Sequence, residues 1–277
     1  MAKATPSKAA KATVKKDKPK TGPRILVTND DGIHGPGLAV LVRIAKEISN
    51  DVWVIAPEEE QSGAGHSLSL AHPVRLRKIN PRKYAIRGTP TDCVLMAIRH
   101  IMKDNTPDLV LSGVNRGQNI ADDVTYSGTI AAAMEGIQLG VPSIALSQAF
   151  GFSKSSKLNW RTAEHHAPGI IKKLLMAGLP ADVLININFP DVAPDKVKGL
   201  EVTGQGKRDQ AMVQVDERID ARHRPYYWFG YESRPSNPAI GTDLYAIYNG
   251  YISVTPLHMN LTHTRARNAL VSALGKL

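Results

Sequence analysis

Two adjacent carboxylates, Asp30 and Asp31, follow a short apolar run at residues 25–28 that is typical of a buried strand, with only Asn29 between them and the run. Two carboxylates this close repel each other unless a proton or a cation lies between them. A hard divalent cation such as Mg²⁺ or Mn²⁺ prefers oxygen ligands and removes that repulsion. The alternative is that one aspartate caps the helix that begins near Gly37 and that its neighbour is solvated.

Two glycine-rich loops each add a neutral oxygen donor to this pair. Ser62 lies in EQSGAGHS after a second apolar run, and Asn115 lies in SGVNRG after a third. Glycine lets the backbone approach a ligand closely, and open α/β sheets bind ligands outside the carboxyl ends of their strands. We therefore expect a hard-cation site with the ligands Asp30, Asp31, Ser62 and Asn115. The sequence offers no His and Cys ligand set, which argues against a closed zinc site.

The step Ser127-Gly128-Thr129 begins a predicted helix after a long polar loop. Free backbone N–H groups and the positive end of the helix dipole make such a position an anion site, for which phosphate is the natural ligand. Capping of the helix by the Ser127 side chain explains the same residues without any ligand. Both interpretations stay open at this point.

Apolar spacing predicts alternating strands and helices through the first 190 residues. Strands are predicted at 25–28, 52–56, 108–111, 142–146 and 183–188, and helices at 37–49, 89–102, 127–138 and 161–176. The alternating runs 74–78 and 84–87 predict a β-hairpin, whereas 112–126 is predicted to be a loop. The alternation indicates an α/β fold with a mostly parallel sheet and helices on both faces.

The pattern changes beyond Pro190 to short apolar runs without a long helix between them. Strands are predicted at 198–203, 226–231, 243–247 and 252–254, followed by a helix at 264–274. Residues 191–277 are therefore predicted to form a β-rich C-terminal extension that packs on the core of residues 24–190. An oligomerisation role is the natural use of such an extension.

The net charge of +10 comes mostly from the N-terminal residues. Residues 1–24 hold eight Lys and Arg against one Asp, a net charge of +7, which leaves +3 for the remainder. Residues 1–23 contain too little apolar surface to fold and are predicted to be a disordered basic tail. The nearly balanced remainder argues against a nucleic-acid partner.

The single cysteine, Cys93, excludes an intramolecular disulfide and fits a reducing cytoplasm. It lies in the apolar run CVLMAIRHIM, where a buried thiol is favoured over a nucleophile. No stretch approaches the roughly 18 apolar residues of a membrane span. We therefore expect a cytoplasmic protein without a membrane partner.

Six segments resemble the SurE family (survival protein E) in sequence and in order. They span the chain from Arg24 onward and read ILVTNDDGIHGPG, APEEEQSGAGHSLSL, RGTPTDCV, LVLSGVNRGQN, YSGTIAAAMEG and GYISVTPLHMNLT. The resemblance implies a Rossmann-like nucleotidase core with one divalent cation per subunit, held by Asp30, Asp31, Ser62 and Asn115. It also implies hydrolysis of nucleoside 5′-monophosphates, often of 3′-monophosphates and sometimes of short polyphosphate. A C-terminal extension exchanged within a homodimer or homotetramer is a further implication. His223 departs from the family, in which a glycine is frequent there, and the basic tail is not a family feature.

These residues together predict metal-assisted hydrolysis of a phosphate monoester. The cation would polarise a phosphoryl oxygen and lower the pKa of a water that Asp30 or Asp31 positions. Hydrogen-bond donors held in fixed positions would stabilise the negative charge of the transition state. The expected phosphate contacts are Ser127, Gly128, Thr129 and Asn119. The sequence assigns no general acid. His66 is interpreted as a loop brace rather than as that acid, and Arg116 as either a phosphate contact or a surface ion pair.

Three other functions fit the sequence less well. A dinucleotide oxidoreductase would need G-x-G-x-x-G, whereas Gly32, Gly35 and Gly37 have the spacing G-x-x-G-x-G. A non-catalytic nucleic-acid binder would depend on the basic tail. A phosphatase of the haloacid dehalogenase type needs two aspartates separated by one residue, and Asp30 and Asp31 are adjacent.

Overall fold

The computed structural model describes residues 22–151, 158–208, 213–231 and 237–275. The predicted tail at 1–23 therefore lies almost wholly outside the described residues. The strands are β1 (Ile25–Thr28), β2 (Val52–Pro57), β3 (Arg75–Asn80), β4 (Lys83–Arg87), β5 (Leu109–Arg116), β6 (Ser143–Gln148), β7 (Val183–Phe189), β8 (Leu200–Val202), β9 (Val213–Ile219), β10 (Pro225–Tyr231) and β11 (Ile252–His258). The α-helices are α1 (Pro36–Lys46), α2 (Pro90–Met96), α3 (Gly128–Gln138), α4 (Arg161–Ala177), α5 (Asp243–Tyr248) and α6 (Thr264–Leu274).

One nine-stranded sheet has the order β3-β4-β2-β1-β5-β6-β7-β11-β8, and β9 and β10 form a separate antiparallel pair. The six strands from β4 to β7 in this order pair in parallel. The strands β3 and β11 pair antiparallel with β4 and β7. The predicted α/β fold with a mostly parallel sheet is confirmed.

Helices cover both faces of this sheet. Since successive residues of a strand point to opposite faces, each strand contributes side chains to the packing on both sides. In β1, Ile25 and Val27 lie in the core cluster that also holds apolar residues of α1 and α4. Leu26, between them, lies in a second cluster with residues of α2 and α3. Within the described residues, no helix has the length and apolar character that crossing a membrane requires.

The N-terminal elements agree closely with the predicted ones. Thr89 caps α2 with its side chain, and Pro90 begins the helix, as predicted. The predicted helix at 89–102 is α-helical only to Met96 and continues as a π-helical turn over Ala97–Ile101. The predicted hairpin is confirmed as β3 and β4, which extend the edge of the main sheet.

Two predicted elements are wrong. Residues 112–126, predicted as a loop, contain the last part of β5, which runs to Arg116, and a 3-10 helix at Ala121–Thr125. Residues 243–247, predicted as a strand, form α5, because Thr242 caps a helix and accepts a bond from the backbone N–H of Tyr245. Leu244 and Ile247 then lie one turn apart and are both buried.

The segment after residue 190 contributes to two sheets. Strands β8 and β11 extend the main sheet beyond β7, whereas β9 and β10 pair only with each other. Strand β9 had no counterpart among the predicted strands. The predicted oligomerisation role of residues 191–277 stays a prediction.

Candidate active site

The carboxyl ends of β2, β1 and β5 lie side by side, because these three strands are parallel neighbours. The loops that follow them line a cavity of about 470 Å³, which we call the site cavity. All four predicted cation ligands line it: Asp30, Asp31, Ser62 and Asn115. The topology thus brings together residues that are 85 positions apart in the sequence, because parallel strands end at the same edge.

The two aspartates occupy an environment that disfavours two negative charges. Asp30 is buried, and this burial raises the pKa of its carboxyl group. Burial and, after it, the nearby carboxylates of Asp30 and Glu60 together raise the pKa of Asp31 to about 6. The Oδ2 atom of Asp31 is buried without a hydrogen-bond partner. A cation at this position would supply the missing partner and offset the repulsion between the carboxylates.

Ser62 lies on a loop whose backbone is hydrogen-bonded to the loop after β1. The N–H of Gln61 donates to the carbonyl of Asp30 at 2.8 Å, and Gly63 and Gly65 adopt positive φ angles of 77° and 55°. The Ser62 hydroxyl donates to Oε1 of Glu60 at 2.9 Å, which leaves its oxygen lone pairs as possible ligands.

Glycine at position 113 makes the end of β5 possible. A Cβ atom on Gly113 would lie 2.2 Å from the carbonyl oxygen of Leu146 on β6, and its φ is 130°. The β5–β6 register shifts between Ser112 and Asn115. The side-chain amide nitrogen of Asn115 donates to the carbonyl of Gly117 at 3.0 Å, which leaves the side-chain oxygen as the proposed ligand atom.

The donor set fits a hard cation and not a soft one. Within the described ranges, no three His, Cys, Asp or Glu side chains form a metal-binding group. A cation here would therefore need the neutral oxygens of Ser62 and Asn115 beside the two carboxylates. Oxygen-only sets of this kind suit Mg²⁺ and Mn²⁺. That these residues bind a cation stays a prediction.

The predicted phosphate ligands divide into two groups. Ser127 and Asn119 line the site cavity, whereas Gly128 and Thr129 lie behind Asp30. A Cβ atom on Gly128 would lie 2.8 Å from Cβ of Asp30, so glycine lets α3 approach the aspartate. Ser127 caps α3, because its hydroxyl accepts from the N–H of Ile130 at 3.1 Å. The start of an 11-residue helix is thus directed at the cavity that the aspartates line.

The opposite side of the site cavity contains cationic and aromatic residues. The guanidinium carbon of Arg116 lies 5.4 Å from the centre of the Phe150 ring. Among the ion pairs of the described residues, Arg116 has no carboxylate partner, whereas Arg208 pairs with Asp123 at 2.5 Å. The sequence alone does not identify Phe150, Asp123 and Arg208 as residues of the site, because their contact partners are distant in the chain.

Two further residues have the structural roles expected from the sequence. Cys93 is fully buried, and burial raises the pKa of its thiol well above the usual range, so the prediction of a buried thiol is confirmed. His66 lies beside the buried Glu135 of α3, with 3.0 Å between Nε2 and Oε2. This contact attaches the Ser62 loop to α3.

Comparison with known proteins points to one family. The chain matches the family model described as "Survival protein SurE" over residues 25–212. It is 70% identical over 254 residues to a protein of Parvibaculum lavamentivorans named "5′-nucleotidase SurE", and the match covers 92% of each chain. A protein of the same name from Caulobacter vibrioides is 57% identical over 253 residues, which cover 91% of this chain and 96% of that protein.

A solved structure has the same fold. The crystal structure of the SurE protein from Aquifex aeolicus superimposes with a TM-score of 0.78 at 40% sequence identity. The match covers 91% of this chain and 100% of that one. The two proteins thus share one architecture over nearly the whole of this chain.

Proposed function

This chain belongs to the SurE family, and from that membership we propose that it is a 5′-nucleotidase, a hydrolase that depends on one divalent cation per subunit. Its substrates would be nucleoside 5′-monophosphates, with 3′-monophosphates and short polyphosphate as further candidates. The observation that carries the proposal is the site cavity. It combines two carboxylates, two neutral oxygen donors and the start of α3.

Asp30, Asp31, Ser62 and Asn115 are the proposed ligands of Mg²⁺ or Mn²⁺. Support comes from the unpartnered Oδ2 of Asp31 and from the raised pKa values of both aspartates. When bound, such a cation supplies Lewis acidity, which polarises a phosphoryl oxygen and lowers the pKa of water. A carboxylate oxygen of Asp30 or Asp31 is the proposed group that positions the attacking water.

The phosphate is proposed to lie between the aspartates and the start of α3. Ser127 and the first N–H groups of α3 are donors on that side, and the helix dipole favours an anion there. Asn119 lines the same cavity. The positively charged guanidinium group of Arg116 also lines it and would stabilise the negative charge that spreads over the phosphoryl oxygens. Thr129 supports Asp30 through its hydroxyl, and Gly128 lets α3 approach that aspartate, so neither side chain is a proposed phosphate contact.

The chain is also proposed to act as a homodimer or homotetramer in the cytoplasm. The isolated pair β9 and β10 exposes Val215, Trp228 and Phe229, and a two-stranded hairpin is marginally stable alone. A second copy of the chain would cover these side chains. The single buried cysteine fits a reducing compartment.

A panel assay tests the proposed activity. Protein freed of metal with EDTA would be given 5′- and 3′-monophosphates of the four ribonucleosides and tripolyphosphate, each with Mg²⁺, Mn²⁺ or no metal. We expect release of inorganic phosphate from 5′-monophosphates only when a cation is added. A dinucleoside phosphodiester serves as the control and should stay intact. Undiminished turnover in excess EDTA would refute the metal dependence, and failure with every monophosphate would refute the nucleotidase.

A further inference from the structure

A short irregular segment, residues 117–120, connects the two halves of the site cavity. It follows β5, which carries Asn115, and precedes the 3-10 helix that leads to Ser127. No regular secondary structure fixes residues 117–120 themselves. Their position must therefore come from other contacts, and it sets the separation of the proposed cation ligands from the proposed phosphate donors.

Asn119, at the centre of this segment, is held by the interior of the sheet. Its backbone N–H donates to Oδ1 of Asn188 at 2.8 Å. Its carbonyl accepts from the side-chain amides of Asn186 at 2.8 Å and Asn188 at 3.1 Å. Its own side-chain amide donates to the hydroxyl of Ser147 at 2.9 Å. Two fully buried asparagines of β7 thus replace the ladder bonds that the segment lacks.

The end of the segment is fixed in the same way. Ala121 has a φ of 52°, a left-handed conformation that costs a non-glycine residue about 1–2 kcal/mol. Its N–H donates to Oδ2 of Asp243 at 2.9 Å, and its carbonyl accepts from the side chain of Gln205 at 2.8 Å. Such strain persists only where the surroundings hold the backbone firmly.

Asparagine at position 186 lowers the stability of the folded chain. Its side chain is fully buried, and its Oδ1 has no hydrogen-bond partner. A buried polar atom without a partner costs about 1–3 kcal/mol. The carbonyl of Asn119 would still have the Asn188 amide as a partner if Asn186 were apolar. Stability of the folded chain therefore does not explain an asparagine here.

We propose that Asn186 and Asn188 are positioning residues that hold residues 117–120 and thereby fix the distance between the two halves of the site. The inference rests on the proposed phosphatase function. Neither side chain lines the site cavity, so both act through Asn119. A displacement of about 1 Å in such a segment can cost on the order of 100-fold in rate.

The decisive variant is Asn186→Leu, for which activity should fall without a loss of stability. The leucine removes the unpartnered oxygen and one bond to Asn119, so the melting temperature should stay equal or rise. The value of kcat/KM for a nucleoside 5′-monophosphate should fall at least about tenfold, because the segment loses an anchor. Asn188→Asp keeps the acceptor for the Asn119 N–H but places a carboxylate oxygen against the Asn119 carbonyl. Its kcat/KM should fall further than that of Asn186→Leu.

Thr255→Val is the matched control. Thr255 lies opposite Asn186 in the β7–β11 register, is buried, and bonds to the hydroxyls of Thr203 and Ser253. Its replacement removes a buried polar group from the same part of the sheet and should leave kcat/KM within about threefold. Unchanged kcat/KM in Asn186→Leu would overturn the proposal. So would a melting temperature and activity that fall together, as in a purely structural role.

A second readout separates this inference from the proposed function. Inorganic phosphate with Mn²⁺ should raise the melting temperature of the parent protein, and Asn186→Leu should reduce that rise. This measurement needs no turnover, so a parent protein without nucleotidase activity would refute the function and leave the positioning test intact. An equal phosphate-induced rise in parent and variant would count against the positioning role.

Discussion

The hydroxyl of Thr129 donates a hydrogen bond of 2.6 Å to Oδ1 of Asp30, two residues that lie 99 positions apart. Both side chains are buried, and the bond joins the first turn of α3 to the loop after β1. It lowers the pKa of Asp30 and so opposes the effect of burial, which raises it. Thr129 therefore favours the charged form of Asp30 that a cation requires.

Replacement of this hydroxyl should weaken cation binding. Thr129→Val keeps the shape of the side chain but removes the bond, so the pKa of Asp30 rises and protons compete better with the cation. A hydrogen bond to a charged group is worth about 1.5–3 kcal/mol, which corresponds to roughly a 10- to 150-fold higher Mn²⁺ concentration for half-maximal activity. A Mn²⁺ titration of the initial rate measures it. Thr129→Ser keeps the hydroxyl and is the control; the same requirement in both variants would contradict the role of the bond.

The general position of the site was predictable because its signals are local. Asp30, Ser62 and Asn115 each follow an apolar run, and parallel strands end at one edge. The extent of β5 was not predictable, because Gly113 and Asn115 are typical of loops. The structure shows that Gly113 is needed inside the strand, since any side chain would collide with the Leu146 carbonyl.

Other features leave no local signal at all. The contact of Thr129 with Asp30 and the bonds of Asn186 to Asn119 join residues that are remote in sequence. Residues 243–247 suggested a strand because Tyr and Ile favour strands. The helix results instead from the Thr242 cap and from Asp243, whose carboxylate accepts the N–H groups of Ala121 and Gly206. Tertiary contacts decide such segments.

Removal of either aspartate charge should abolish activity without unfolding the protein. Asp30→Asn and Asp31→Asn each leave an amide in place of a carboxylate cation ligand, and we expect at least about a 1000-fold loss of kcat/KM. Mn²⁺ should raise the melting temperature of the parent but not of the variants. Asp104→Asn, on an exposed turn, is the control and should behave like the parent. A variant that keeps full turnover would refute the ligand assignment.

The stability of the metal-free protein should depend on pH through the ionisation of Asp31. Its folded-state pKa is raised from 3.8 to about 6, so folding favours its protonated form. That stabilising contribution is present below the unfolded-state value and is lost as pH rises through the folded-state value. In EDTA, Asp31→Asn should therefore melt above the parent at pH 7, and the difference should shrink between pH 6 and pH 4. A difference that is independent of pH would contradict this account.

His66 offers a test that separates a brace from a general acid. Its Nε2 lies 3.0 Å from the buried carboxylate of Glu135, and His66 does not line the site cavity. Glutamine can still donate to that carboxylate but cannot act as a general acid. We expect His66→Gln to keep kcat/KM within about fivefold, whereas loss of a general acid typically costs about 100-fold or more. His66→Ala should lose more activity than His66→Gln, because the contact of the Ser62 loop with Glu135 of α3 is then lost.

The exposed side chains of the β9–β10 pair lead to a prediction about assembly. Trp228 is 58% exposed and Phe229 is 78% exposed, although large aromatic side chains of this kind are typical of buried interfaces. The double variant Trp228→Ser with Phe229→Ser should therefore lower the molar mass measured by light scattering after size exclusion. Met176→Ser is the matched control, because Met176 is 80% exposed at the end of α4, outside this pair. An equal mass in all three proteins would show that the pair does not hold the subunits together. A lower mass in the double variant alone would establish β9 and β10 as part of the interface, because the control removes an exposed apolar side chain from another part of the surface.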